Sequence, residues 1–246
     1  MNILDLDLDC FIEGIAHNRK DANDRLDDQE YPPWDEADFR YFLENQCGLS
    51  KSEPIIGKVF KKHVEVFHYW RELIDMSYLE VPFSVTHVDA HSDMGLGWKA
   101  PYHICQELLP LEPDKRLKKG EDPEFLDSGS FLAYALAFRW INELTFVHHI
   151  DYLDHDDFVG DFFKHNNPFD NGFIELKRFK SSPIPIPLEN RVLLTSDPEI
   201  PYKLISVEEY HNTAGFDFAT LSQSPGFTPQ SADLLIDIFK EYINEL

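Results

Sequence analysis

Near its start the chain reads Asn2-Ile3-Leu4-Asp5-Leu6-Asp7-Leu8-Asp9-Cys10-Phe11, in which leucine and aspartate alternate without a break from Leu4 to Asp9. Alternation of this kind predicts a β-strand, because successive side chains leave an extended backbone on opposite faces. Asp5, Asp7 and Asp9 then share one face, and Leu4, Leu6 and Leu8 the other. Three carboxylates stacked on a strand of otherwise buried type repel one another and lose their water. The fold must therefore set compensating positive charge beside them. A shared cation does this directly.

A second stretch, Val85-Thr86-His87-Val88-Asp89-Ala90-His91-Ser92-Asp93-Met94-Gly95, carries an apolar strand into an Asp-x-His-x-Asp triplet. If the backbone stays extended, Asp89, His91 and Asp93 leave it on one side and converge. Two carboxylates with one imidazole suit manganese, iron or zinc better than calcium, which rarely takes nitrogen. Asp7 and Asp9 added to this triplet make a binuclear centre, with Asp89 as the bridging ligand. His63 ends a predicted strand over residues 55–63 and directly precedes a helical pattern over 64–74. Carboxyl ends of strands are where open α/β sheets keep their sites, so His63 reads as either a ligand or a structural histidine. Glu65 falls in the first turn of that helix, where the macrodipole favours an acid.

The remaining pattern predicts a helix over 39–47 stopped by Gly48, a strand over 81–88, and a helix over 131–142. Strands over 144–151, 173–176, 191–194 and 216–221 follow, with a closing helix over 232–246. Ser128 or Ser130 is expected to cap the helix at 131; the alternative is that their hydroxyls meet a polar part of a substrate. His148 and His149 end one strand, and Asp154-His155-Asp156-Asp157 follows within reach of the site. The loop Met94-Gly95-Leu96-Gly97-Trp98 is expected to wall a pocket. Polar excursions lie near 18–38, 108–126 and 164–202. Alternating strands and helices predict one α/β domain over 1–246, with a mostly parallel sheet covered by helices on both faces.

Charge narrows the partners. Asp and Glu number 45 against 22 Lys and Arg, a formal net charge of -23. Such a surface argues against nucleic acid and anionic membrane as partners, both being polyanions. Cys10, Cys47 and Cys105 show no paired spacing, which fits a reduced, cytoplasmic setting. No basic-then-apolar leader and no apolar run of membrane-spanning length is apparent. Oligomeric state is not legible.

The residues also carry a resemblance. Val88-Asp89-Ala90-His91-Ser92-Asp93 resembles the Asp-Ala-His-x-Asp motif of the arginase and ureohydrolase-deacetylase superfamily, whose members hold two manganese ions on an α/β sheet. Asp7-Leu8-Asp9 is similar to its Asp-x-Asp strand end, His63 to its remaining histidine ligand, and Ser128-Gly129-Ser130 to its substrate-side loop. More closely, the chain resembles an uncharacterised bacterial protein family with an arginase-like fold. That likeness runs through residues 6–11, 63–67, 87–97, 130–132 and 222–229. The Asp-x-Asp strand precedes the Asp-Ala-His-x-Asp segment here, the reverse of arginases, and Cys10-Phe11 replaces the usual Asp-x-x-Asp-Pro continuation. What the resemblance implies is a three-layer α/β/α fold in permuted order, holding two Mn2+ or alternatively Fe2+ or Zn2+ at Asp7, Asp9, His63, Asp89, His91 and Asp93.

The leading functional expectation is a hydrolase of a C–N bond in a small-molecule amidine, guanidine or amide, with Glu65, His148 or His149 moving the proton. Two alternatives stand beside it. The N-terminal strand also resembles the first motif of haloacid-dehalogenase-type magnesium phosphatases, with Asp5 or Asp7 as nucleophile. A metal-stabilised binding protein without turnover has the same ligands.

Overall fold

The computed structural model describes residues 1–17, 24–95, 99–118, 120–152, 172–180 and 192–245. Its strands are β1 (Asn2–Asp7), β2 (Ile55–Phe60), β3 (Phe83–Asp89), β4 (Ile141–His148), β5 (Gly172–Ile174), β6 (Lys177–Phe179), β7 (Leu193–Thr195), β8 (Ile200–Ser206), β9 (Phe218–Ser222) and β10 (Ile243–Glu245). Eight of them form one sheet in the order β10-β2-β9-β1-β3-β4-β8-β5, while β6 and β7 pair separately. Every neighbour in the large sheet is parallel except β5, which runs against β8. The Leu-Asp strand β1 therefore lies inside the sheet, between β9 and β3.

Helices α1 (Glu36–Tyr41), α2 (Val64–Asp75), α3 (Lys99–His103), α4 (Pro113–Arg116), α5 (Phe131–Ala137) and α6 (Asp233–Phe239) complete the layers. On one face Ile3, Val85, Leu144 and Phe218 pack with Phe67 and Trp70 of α2 and Phe131 and Tyr134 of α5. On the other, Leu4, Leu6, Val88 and Leu221 meet Phe39, Phe42, Leu235 and Phe239. This is a three-layer α/β/α arrangement, the class the alternating pattern predicts. Each buried aromatic or aliphatic side chain contributes about 1.5–3 kcal/mol, so the two cores hold the sheet from both sides. The leucines of β1 go to the α6 side, and Asp5 and Asp7 share the α2 side with Ile3.

Helix α2 follows from its spacing: Val66, Phe67, Tyr69, Trp70 and Leu73 are buried on one stripe. It ends where Ser77 takes a left-handed backbone at φ 60°.

Three expected elements differ. The helix from 131 stops at Ala137, because Arg139 turns left-handed at φ 61° and delivers Ile141 to pair with Phe83. The closing helix ends at Phe239, since a tight turn over Lys240–Tyr242 lets Ile243 dock on Ile55 as an edge strand. The excursion near 108–126 is partly interior: Arg116 is buried and makes a two-pronged ion pair with Asp197, 2.5 and 2.8 Å. Among the described residues no helix is long and apolar enough to cross a membrane.

Candidate metal centre

The sheet face turned toward α2 and α5 is apolar along its first half and polar at the strands' carboxyl ends. Strand register makes it so: Asp5 lies beside His87 on β3 and Thr220 on β9, and Asp7 lies beside Ser222. Alternation along β3 then puts Asp89 on the face that His87 occupies. All five carboxylates, Asp5, Asp7, Asp9, Asp89 and Asp93, are buried, and so are His63 and His87.

Asp9 arrives by a different route from the one its spacing predicts. Asp7 accepts the backbone N–H of Asp9 at 3.0 Å, which ends the strand and starts a tight turn over Leu8–Phe11. The turn swings the Asp9 carboxylate toward β3, where Oδ1 accepts the Ala90 N–H at 3.2 Å and Oδ2 lies 3.0 Å from His91 Nδ1. The expected shared strand face thus holds for Asp5 and Asp7 and is corrected for Asp9.

His63, in the turn between β2 and α2, is the hub of the inner half. Its Nδ1 lies 3.0 Å from Asp7 Oδ2, 3.0 Å from Asp89 Oδ2 and 2.9 Å from Asp93 Oδ2. Nevertheless that nitrogen is a buried polar atom without a hydrogen-bond partner. On the ring's other side, Nε2 lies 3.0 Å from Asp5 Oδ2. When the ring is neutral, the Asp5 carboxylate keeps its proton on Nε2, which leaves a lone pair on Nδ1 facing three carboxylates. Lone pairs that converge in this way repel unless a proton or a cation sits among them.

His91 repeats the arrangement in the outer half. Its Nε2 lies 3.1 Å from the carbonyl of Ala16, while Nδ1 lies 3.0 Å from Asp9 Oδ2 and 3.6 Å from Asp89 Oδ1. Asp89 therefore turns one oxygen toward each histidine. Two donor groups result, Asp7/His63/Asp89 and Asp9/Asp89/His91, each with ligand atoms within 4.8 Å of one another and each able to hold a metal ion. In both, the far nitrogen of the imidazole is anchored by a carboxylate or a carbonyl, as metal-binding histidines commonly are. Mixed carboxylate and imidazole donors fit manganese, iron or zinc.

Two backbone positions are held in left-handed conformations at this centre. Asp93 sits at φ 48° and Ser224 at φ 44°, each costing on the order of 1 kcal/mol for a residue with a Cβ. The turn at Asp93 aims its carboxylate at His63 while its carbonyl accepts the Leu132 N–H at the start of α5, 3.1 Å. Ser224 donates its hydroxyl to Asp7 Oδ2.

Electrostatics follow from burial and crowding. Burial and the neighbouring Asp9 raise the pKa of Asp7, and burial with Asp89 raises that of Asp9. Asp93 is pushed up to about 7 by burial and by Asp89. Burial opposes the charged form of His63 and His91, yet Asp5 beside the first and Asp9 beside the second hold both well above the usual imidazole range. Burial would raise Asp5 as well, but His63 and His87 outweigh it and keep that carboxyl below the usual range. Free of cations, the cluster balances its carboxylates with protons.

All six residues expected as ligands, Asp7, Asp9, His63, Asp89, His91 and Asp93, come together here. The three expected to move protons do not join them by side chain. Glu65 accepts the backbone N–H groups of Lys61 and Lys62 at 2.9 and 3.1 Å, and so fastens the turn before α2. His149 is buried with both ring nitrogens engaged, Nε2 with the Ile12 carbonyl at 2.8 Å and Nδ1 with the Asp151 N–H at 3.0 Å. His148, beside Asp89 in the sheet register, has Nδ1 2.7 Å from the carbonyl of His149 and is half-buried.

Ser128 accepts the N–H of Val64 at 3.2 Å and thus serves α2. The Ser130 hydroxyl bonds back to Phe125 and Asp127 and makes no side-chain cap of α5. Asp154-His155-Asp156-Asp157 and Leu96-Gly97-Trp98 lie outside the described residues. Sequence reasoning passed over His87, Thr220 and Ser224 and left Asp5 unassigned. The signal for His87 was its place two residues before Asp89.

No protein-family model, curated protein or solved structure matches the chain.

Proposed function

We propose that this chain is a metal-dependent hydrolase of a C–N bond in a small-molecule amidine, guanidine or amide, acting through two divalent cations, manganese first among them. The observation that carries this reading is the orientation of Asp89, whose Oδ2 lies 3.0 Å from His63 Nδ1 while Oδ1 is turned to His91. One carboxylate shared by two histidine-containing groups is the donor pattern of a bridged pair. The adjacency of β1 and β3 as parallel neighbours supports the arginase-like, permuted reading. Strand ends that lie side by side present the same groups whichever comes first in the chain.

Such a pair, when bound, supplies activation of a water near neutral pH and stabilisation of developing negative charge. The chain's own residues hold the geometry. Asp89 fixes the spacing of the two halves, Asp5 and Ala16 lock the imidazole tautomers, and Asp93 and Ser224 hold the rim through strained turns. Side-chain exposure of 13% makes His91 the most open of the donors, and Phe227 lies edge-on to it at 5.2 Å. We place substrate entry there. His148, which pairs with Asp89 in the sheet register and whose pKa is lowered by burial, takes the proton in this scheme without itself touching the donor groups.

Charge favours this substrate class over phosphate esters. Four carboxylates, Asp7, Asp9, Asp89 and Asp93, match two dications, which leaves no excess positive charge for an anion. Among the described residues, the ion pairs of these four and of Asp5 are all with histidines. The phosphatase alternative also needs a free aspartate nucleophile. Asp5 Oδ2 meets His63 and His87 while Oδ1 accepts the Thr220 hydroxyl at 2.6 Å, and Asp7 is engaged by Asp9 and Ser224. The buried thiols of Cys10, Cys47 and Cys105 support a cytoplasmic setting.

The test is elemental analysis of protein purified without chelator and again after manganese loading, followed by hydrolysis assays on amidines, guanidines and amides. Two metals per chain with manganese-dependent release of amine or ammonia is the expected result. Loading without turnover of any of these classes would leave the binding-protein reading, and turnover of phosphate esters would replace the proposal.

A further inference from the structure

His87 has no role in the scheme above, yet it is completely buried at the centre of the cluster. Its Nδ1 lies 2.9 Å from Asp5 Oδ2, the same oxygen that takes His63 Nε2 at 3.0 Å. With Oδ1 of Asp5 filled by the Thr220 hydroxyl, one carboxylate oxygen accepts the ring N–H of two histidines. This sets both tautomers at once. The remaining nitrogens, Nδ1 of His63 and Nε2 of His87, then face the same atom, Asp89 Oδ2, at 3.0 and 3.4 Å.

Neither of those nitrogens has a hydrogen-bond partner. Phe131 packs against both rings, at centroid distances of 4.6 Å from His63 and 6.1 Å from His87, and Phe146 lies 5.6 Å from His87. An imidazole lone pair enclosed by phenyl rings and pointed at a carboxylate is unfavourable unless an electron-pair acceptor lies between them. The ligand atoms of His87, Asp89 and Asp93 also lie within 4.8 Å of one another, the spacing of a metal-binding group.

We propose that His87 is a metal ligand, so that the inner position takes two imidazole nitrogens, from His63 and His87, and the outer position takes one, from His91. Asp5 is the residue that positions both inner ligands. The inference rests on the metal-centre reading above and makes the two positions chemically unequal. Nitrogen-rich donors favour zinc, iron or cobalt, so the inner position discriminates against magnesium and calcium more sharply than the outer one.

The experiment uses the full chain with Mn2+ as the probe, at one and at two equivalents, with and without 15N-labelled histidine, read by pulsed EPR. Wild-type protein is expected to show three histidine nitrogens in total across the two positions. His87→Gln is expected to show two and to weaken one binding step by about tenfold or more, leaving the other unchanged. Asp5→Asn is expected to weaken the same step by about 10–100-fold while keeping both metals at saturation. Two nitrogens in the wild type, or unaltered affinities in His87→Gln, would make His87 a mere structural partner of Asp5 and overturn the inference with the metal centre intact. Absence of Mn2+ binding by the wild type overturns the metal centre itself. The wild-type nitrogen count decides the matter even if His87→Gln does not fold.

Discussion

Ser224 reaches Asp7 from a backbone held at φ 44°, so a hydroxyl on the loop after β9 is tied to a carboxylate at the end of β1. A hydrogen bond to a charged partner contributes about 1.5–3 kcal/mol, and the left-handed conformation costs about 1 kcal/mol for any side chain with a Cβ. Ser224→Ala therefore loses the bond and keeps the strain, whereas Ser224→Gly loses the bond and sheds it. Urea unfolding of chelated protein is expected to rank wild type above the glycine variant, and glycine above alanine by about 1 kcal/mol. Equal stabilities for the two variants would show that the turn is not strained.

Asp89→Asn is expected to abolish binding of both cations, because the lost charge serves both halves. The metal-free protein should suffer as well. Burial and Asp7 push the Asp89 carboxyl up, yet His63, His91 and His87 outweigh them and hold it below the ordinary carboxylate range, so its charge is net favourable even without a cation. Chelated variant should melt below chelated wild type. Wild type alone should gain from manganese, by about 2.7 kcal/mol at one hundred times the dissociation constant. Calorimetric melts with and without metal check both halves, and a variant still stabilised by manganese would remove Asp89 from the centre.

Affinity for cations is expected to climb with pH. In the metal-free cluster His63 and His91 are held well above their usual pKa and Asp93 near 7, so near neutrality these groups carry protons. Coordination needs the lone pairs those protons occupy, and binding must expel them. Affinity is thus lowest in acid, rises as Asp93 deprotonates around pH 7, and goes on rising toward the histidine pKa values. Titration calorimetry in buffers of different ionisation enthalpy measures the protons released. Zero release at pH 6.5 would contradict the protonated cluster.

Gly57 tests the sheet rather than the site. A Cβ there would stand 2.6 Å from Ile243 Cγ2 and 2.7 Å from the carbonyl oxygen of Ala219, and the second is backbone that cannot turn aside. Gly57→Ala should destabilise the protein by about 1–3 kcal/mol, with hydrogen exchange rising first in β10. Unchanged exchange at residues 243–245 would show that the edge strand is not wedged by this contact.

Much of the candidate site was legible because its donor groups lie at period-2 strand ends, where Asp89 and Asp7 declare themselves as charges in apolar runs. The same logic reached His63 through the change from strand to helix pattern. What stayed hidden depends on partners distant in sequence. Asp5 and His87 become a pair only through the register of β1 against β3, and Thr220 and Ser224 join only because β9 inserts beside β1. Glu65 and His149 looked chemical but spend their polar atoms on loop backbone, and no residue pattern announces which carbonyl or amide will lie nearby. The two helices read as too long ended where Arg139 and Lys240–Tyr242 turned the chain into new strands. A helical period in the sequence carries no mark of a neighbouring strand waiting to pair.

The central place of β1 also governs when this protein can become itself during synthesis. Strand β1 has one flank filled by β3 and the other by β9, and Asp5 meets Thr220 across 215 residues of chain. At about 5–20 residues per second, the open flank persists for roughly 10–40 s in each newborn molecule. Throughout that interval the aspartates of β1 lack their β9 partners. The bonds from Thr220 to Asp5 and from Ser224 to Asp7 consequently wait for β9, and a nascent polypeptide stalled before it would expose an acidic, half-built edge to whatever cation or chaperone meets it first.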